Sequence, residues 1–234
     1  MKMEEKKLPN YVANVVKMKG IADLPLFTEQ DGKNYFDFNK IIPMPESLDV
    51  ESGSRTEMAV VYFLTDHCTI PIRCLNPDDK TIADALVENM FSKNWLQEVY
   101  TRTQEWAYKT TTIEKDKMFA MGQIYVDNYK KYGAATWYKW RVDNWGTKWN
   151  ALGGNKVDND TVSFKTAWSA PLPIMEKLSE MYPDRNIIIK WADEDEGSNT
   201  GEVVYCNGAV IRGGANENGT EAAYAAYNDC WSQV

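Results

Sequence analysis

Four of the chain's nine tryptophans fall in one stretch, Trp137 to Trp149 (WYKWRVDNWGTKW), with Arg141 and Lys148 between them. Indoles interleaved with cations have three uses. They stack on nucleobases, as in single-strand binders. They anchor protein interfaces, where Trp, Tyr and Arg carry most of the binding energy. Or they are core, each ring removing a large apolar area from water. The candidate binding set is Trp137, Trp140, Arg141, Trp145, Lys148 and Trp149. Trp145 and Trp149 are four apart and can share a helical face, with Asp143 or Asn144 as a cap. On sequence alone all three uses stay open.

A second set precedes the last helix: Gly208, Gly213, Gly214 and Asn216, with Asn218 close behind. A glycine-rich turn at a helix N-terminus can hold an anion or nucleotide through backbone N–H groups. The Gly-Lys-Ser/Thr ending of a phosphate loop is missing, and a flexible connection explains the same residues. The acidic run Asp193 to Glu202 invites a calcium reading, but counted from Asp193 the fifth position is Gly197 and the twelfth Val204. The calcium loop wants an acid or amide and then a glutamate at those places, so a solvated hairpin turn is expected. His67, Cys68 and Cys74 lack a fourth ligand at zinc spacing and lack an acid for a Cys–His nucleophile. They read as a buried helix end. A single histidine removes most imidazole acid–base schemes, and Asp78 with Asp79 is explained by a helix start. No catalytic set, metal or cofactor is expected.

The elements that must position these residues follow from pattern. The length of 234 residues is enough for a sizeable core, and 44% hydrophobic with 26% charged residues is a globular balance. A net charge of −8 argues against nucleic acid as a partner, because wrapping phosphates needs a basic surface. It leaves a protein partner or polyanion mimicry open. The start MKMEEKKL is charged with no apolar core behind it, so no signal peptide is expected, and no run is long enough for a membrane helix. Four scattered cysteines, Cys68, Cys74, Cys206 and Cys230, suggest reduced thiols in the cytoplasm.

Residues 10–18 alternate with valines and read as a strand; Asp31-Gly32 marks a turn, and Tyr35 to Ile42 a short strand before Pro43. A helical middle follows. Ser54 with Glu57 makes a capping box, Asn76-Pro77 starts a second helix with apolar residues from Ile82 through Met90 to Trp106, and a third runs from about Glu114 to Gly133. Thr161 to Trp168 alternates, placing Val162, Phe164, Thr166 and Trp168 on one face. A helix over 171–182, strands at 186–191 and 202–207 and a helix over 220–231 complete the order β-α-β-β-α. This is an α+β chain whose ferredoxin-like antiparallel sheet has its helices on one face. Nothing after Trp231 can supply a closing strand, so the strand at 10–18 is expected to pair antiparallel with 161–168, with 35–42 as the alternative. The division expected is 1–135 (N-terminal strands and helices) and 136–234 (ferredoxin-like), together one compact unit.

FDFNKIIPMPESL (36–48), WYKWRVDNWGTKWNA (137–151) and VSFKTAWSAPLPIMEKLSEMYPD (162–184), in that order, resemble the YubB-type proteins of phages and plasmids. The resemblance implies a ferredoxin-like C-terminal region and a mobile genetic element; it implies no activity, cofactor or catalytic residue. The expected role is non-enzymatic binding of a host- or element-encoded macromolecule, with counter-defence as a role such an element would use. The alternative is nucleotide binding by the glycine-rich segment 208–218.

Overall fold

The computed structural model describes residues 10–87, 92 and 94–234. The charged start of the chain and Met90 lie outside them. In chain order the elements are β1 (Tyr11–Lys17), β2 (Phe27–Gln30), β3 (Lys33–Phe36), α1 (Ser54–Leu64), α2 (Pro77–Leu86), α3 (Trp95–Lys109) and α4 (Thr112–Tyr132). After these come α5 (Trp137–Trp145), β4 (Leu152–Lys156), β5 (Thr161–Ala167), α6 (Leu172–Met181), β6 (Ile187–Asp193), β7 (Thr200–Cys206), β8 (Ala209–Ala215) and α7 (Glu221–Trp231). Two compact units result. One takes the chain through Pro43 and again Arg141–Val234; the other is Met44–Trp140. The division therefore differs from a single cut at residue 135, because β1 belongs with the C-terminal sheet.

In the helical unit, cap chemistry sets the boundaries. Asn76 caps α2, its Oδ1 accepting from the Asp79 N–H at 2.9 Å, with Pro77 in the first turn. Gly133 ends α4 at φ 71°, a left-handed geometry that glycine adopts without strain. The capping box falls one residue earlier than its sequence signature: Gly53 is the cap, and its N–H donates to Thr56 Oγ1 at 3.1 Å. The long helical pattern from Ile82 to Trp106 is split, with α2 ending at Leu86 and α3 starting at Trp95. Helices α1 and α4 cross closely, since a Cβ on Gly122 would come within 2.1 Å of the Ala59 carbonyl oxygen.

The other unit is built on a six-stranded antiparallel sheet, ordered β4-β5-β1-β6-β7-β8. β1 pairs with β5 as the alternation implies, Val12 opposite Thr166, Asn14 opposite Phe164 and Val16 opposite Val162. Its other side takes β6, with Ala13 opposite Ala192 and Val15 opposite Lys190. The N-terminal strand is thus inside the sheet, where residues 12–16 are buried on both faces. The segment 35–42 does not compete for that place. Only Tyr35 and Phe36 of it are strand, the end of β3, which pairs with β2 across the Asp31-Gly32 turn, and a short 3-10 turn follows at Phe38–Lys40.

The two faces of this sheet differ in size of side chain, and that decides where the helices go. Val12, Val16, Val162, Phe164, Ile187, Ile189, Trp191, Val203 and Tyr205 are buried on one face, which α6 covers with Ile174, Met175 and Leu178. Burial, with Glu176 of α6 beside it, raises the Tyr205 pKa. The opposite face carries Ala13, Val15 and Ala192, small enough for α7 to lay Cys230 on them. Lys190 on that face reaches Asp229 of α7 at 3.0 Å. The α+β class and the antiparallel sheet with its N-terminal strand hold; the placing of both helices on one face does not. A sheet whose central strand is apolar on both sides needs a layer on each. Asn14 is the polar exception. Its Nδ2 donates to Val12 O and Thr166 Oγ1, while its Oδ1 has no partner among the described residues.

The outer strands are guarded. β8 is exposed throughout, but a register shift between Val204 and Tyr205 and the exposed Arg212 discourage another strand from adding to it. A fragment beginning at Trp137 lacks β1 and leaves β5 and β6 with facing, unpaired edges. Size-exclusion chromatography is expected to find it aggregated or dimeric; a stable folded monomer would show that β1 is dispensable.

Candidate functional site

Most of the tryptophan stretch is structural. Helix α5 stops at Trp145 because Gly146 turns left-handed (φ 76°) where Pro173 leaves no room for a Cβ. Trp149 therefore lies beyond the helix, and the shared helical face with Trp145 does not form. Trp145 is fully buried; its Nε1 donates to the Ile42 carbonyl at 2.9 Å, and its ring meets Phe38 edge-on at 5.7 Å. The Arg141 guanidinium lies over that ring at 5.0 Å. Trp140 is buried, and Trp137 is half-buried, edge-on to Tyr138.

The loop that follows α5 is stapled to its surroundings. Thr147 Oγ1 donates to Ala167 O at 2.8 Å, and Ser169 Oγ donates to Gly146 O. Asn150 is the central link. Its Oδ1 accepts the Phe38 N–H at 2.9 Å and the Ala151 N–H at 3.0 Å, while its Nδ2 donates to Asp37 at 2.8 Å. Asp37 also accepts from Thr28 Oγ1 at 2.7 Å and from the Asn39 N–H at 3.0 Å. Above this clasp Phe36 stacks on Phe164 at 5.0 Å, and Phe38 meets Phe164 edge-on. Phe36 to Phe38, Asn150 and Phe164, one piece of each segment that carried the sequence resemblance, meet here.

The end of the stretch, Lys148 and Trp149, is half-buried beside an exposed indole. The Lys148 ammonium sits between two indoles, 4.9 Å from the Trp149 ring centre and 4.7 Å from that of Trp168. The alternation placed Trp168 on the buried face of β5. It is instead 43% exposed, because the strand ends at Ala167 and Trp168 turns to φ 71°. A bulky side chain in that region is strained. Neighbours hold it there: the Trp168 N–H donates to Asn10 O at 2.9 Å, and Asn199 Nδ2 donates to Trp168 O at 3.1 Å. Asn199 also reaches Asp193, and Asn10 Nδ2 donates to Asp193 and Asp195. The acidic turn between β6 and β7 thus borders the exposed indole. Trp168 and Asn199 were not picked out from sequence; Ser169 and Pro171, which close the strand pattern, were the available sign.

The remaining candidates are scattered. Gly208 sits in the β7–β8 turn, its N–H donating to Ser179 Oγ at 2.8 Å, whereas Gly213 and Gly214 lie on β8 and Asn216 follows it. The segment is a hairpin turn and an edge strand, not a glycine-rich loop, and these residues are strung out along it. His67 lies in the turn after α1 and is half-exposed rather than buried, stacked on Phe119 at 4.3 Å and beside Asp66. Burial pushes the Cys68 thiol pKa up, which disfavours a thiolate. Among the described residues no three metal-ligating side chains gather.

The fold is that of an α+β protein with a ferredoxin-like C-terminal region: the family model described as a ferredoxin-like domain in Api92-like protein matches residues 144–229. One solved structure, a protein Api92 from Yersinia pseudotuberculosis, aligns with 91% of this chain and 99% of its own at 10% identity and a TM-score of 0.35, too loose a likeness to transfer anything. No curated protein matches. No described helix is long and apolar enough to cross a membrane.

Asp37 gives the clasp a pH signature. Burial alone would raise its pKa, but hydrogen bonds from Thr28, Asn150 and Asn39 together lower it below 3.8. A carboxylate with a depressed folded pKa stabilises the fold above its unfolded pKa and loses that contribution as pH falls through the folded one. Melting temperatures of Asp37→Asn are expected to start lower than those of the native chain at neutral pH, and the gap to narrow as pH falls below 3.8. Parallel curves would show that the carboxylate is not what holds the clasp.

Proposed function

We propose that the protein is a non-enzymatic binding module that engages a protein partner through the surface formed by Trp149, Lys148 and Trp168. The observation that carries this reading is Trp168: an indole 43% exposed, on strained backbone, held outward by hydrogen bonds from both sides. Exposing that ring and straining its backbone each oppose folding, so a role outside the fold is the economical account. Tryptophan is the residue most enriched at the centres of protein interfaces. Glu194, Asp195 and Glu196, exposed in the bordering turn, favour a partner that presents lysines or arginines.

The same reading carries the finer expectations. The YubB-type resemblance supports an origin on a phage or plasmid, and a partner encoded by the host or the element, with counter-defence as the setting. The four free cysteines support a reducing, cytoplasmic compartment. Burial raises the pKa of Cys230 to about 12, which keeps that thiol protonated and inert.

Trp168→Asn separates a binding role from a structural one, because asparagine tolerates the left-handed conformation. Its unfolding free energy is expected to stay within about 1 kcal/mol of the native value. Partners cross-linked to the native chain in the cells that express it are expected to be lost with Trp168→Asn and kept with Lys177→Ala. Unchanged partners, or a large loss of stability, would contradict the reading.

A further inference from the structure

A cleft of about 800 Å³ lies between β3 and β4, lined by none of the residues that form the Trp168 surface. Strand β4 closes one side of the six-stranded sheet, and β3 belongs to the separate ribbon with β2. The two pinch together at Gly154, where a Cβ would come within 2.5 Å of the Phe36 backbone nitrogen, and the cleft opens beside that contact. Its walls carry Lys33 and Lys156 as cations, Asn34 and Asn155 as amides, and Tyr35 and Leu152 as apolar surface, with no acid among the lining residues. In a chain of net charge −8 that is a local reversal of sign. Lys156 is held in place, its ammonium 4.6 Å from the centre of the Phe27 ring.

Lysines on an edge strand often serve only to repel another strand. That purpose is weak here, because β3 already lies across β4 at Gly154. The register of β4 shifts between Leu152 and Asn155, and Gly153 at φ 83° makes the bend; a Cβ there would meet nothing within 4 Å. The bulge therefore does not relieve crowding at Gly153. Bulges of this kind re-aim side chains beside binding sites.

We infer that this cleft binds a phosphate-bearing small molecule of nucleotide size. Two ammonium groups suit phosphate oxygens. A phenol ring and a leucine provide apolar contact for an organic body, and two asparagines provide donors and acceptors for its edges. The volume lies within the range of small-molecule sites. The inference does not depend on the Trp168 reading.

The test is calorimetric titration of the full chain with inorganic phosphate and with ribonucleoside mono- and triphosphates at low salt, beside a single-stranded oligonucleotide. At least one nucleotide is expected to bind more tightly than inorganic phosphate, and to bind roughly tenfold more weakly to Lys33→Glu or Lys156→Glu. Lys177→Glu is expected to bind as the native chain does. Mass spectrometry of the native chain under amine acetylation supplies a readout free of variants: saturating nucleotide slows labelling of Lys33 and Lys156. The inference is overturned if no nucleotide binds at millimolar concentration, if inorganic phosphate binds as tightly, if only the oligonucleotide binds, or if binding leaves both lysines equally reactive.

Discussion

The broad face of the sheet depends on one side-chain amide. Asn150 joins two parts of the chain far apart in sequence by accepting the Phe38 N–H and donating to the Asp37 carboxylate. Phe38 N–H is left without a ladder partner because β3 ends at Phe36 and the chain tightens into a 3-10 turn. A buried donor without an acceptor costs about 1–3 kcal/mol, so the amide offsets a real penalty. It also sets the distance between the 3-10 turn and the loop after α5, letting Trp145 lie against Phe38 and donate to Ile42. With the ring in place, Phe36, Phe38 and Phe164 close over β5. The tryptophan-rich stretch looks like a recognition motif and is largely a structural one.

That arrangement separates two kinds of aromatic residue. Trp145 and Phe164 are buried, with ring contacts on one side of the sheet. Trp168 follows the same strand by one residue, and its backbone turns left-handed and its ring outward. A single change of backbone region at the end of β5 thus converts what would be the next core residue into surface. The sheet beneath is apolar on both faces at β1, which makes it rigid enough to hold such a surface.

How much of this was legible in the sequence varied with how local the signal was. The pairing of β1 with β5 followed from alternation and from the need of β5 for a neighbour. The cap at Asn76 and the glycine stop at Gly133 were local and readable. β4 was not: LGGNK has none of the β-branched residues that announce a strand, and it is ordered by β5 on one side and the close approach of Phe36 at Gly154 on the other. β8 looked like a loop because of Gly213 and Gly214, yet Gly213 is a strand residue whose positive φ and contact with Glu202 O exclude any side chain. The placing of α6 and α7 on opposite faces needed the register, since a one-residue shift exchanges the faces of a strand. Trp168 was misplaced for a related reason: alternation states which face a residue takes only while the strand lasts. The role of Asn150 was invisible because both of its long-range partners lie more than a hundred residues away.

The measurement that bears most directly on this account is native-state hydrogen exchange resolved by residue. The account predicts that the amides of Phe38 and Ala151, both donating to Asn150, exchange only through the same global opening that releases the amides of β1 and β5. Their opening free energies should then match and fall together with added denaturant. If Phe38 and Ala151 instead exchange through a small local fluctuation while β1 and β5 stay protected, the clasp is an attachment to the sheet and not a condition of it.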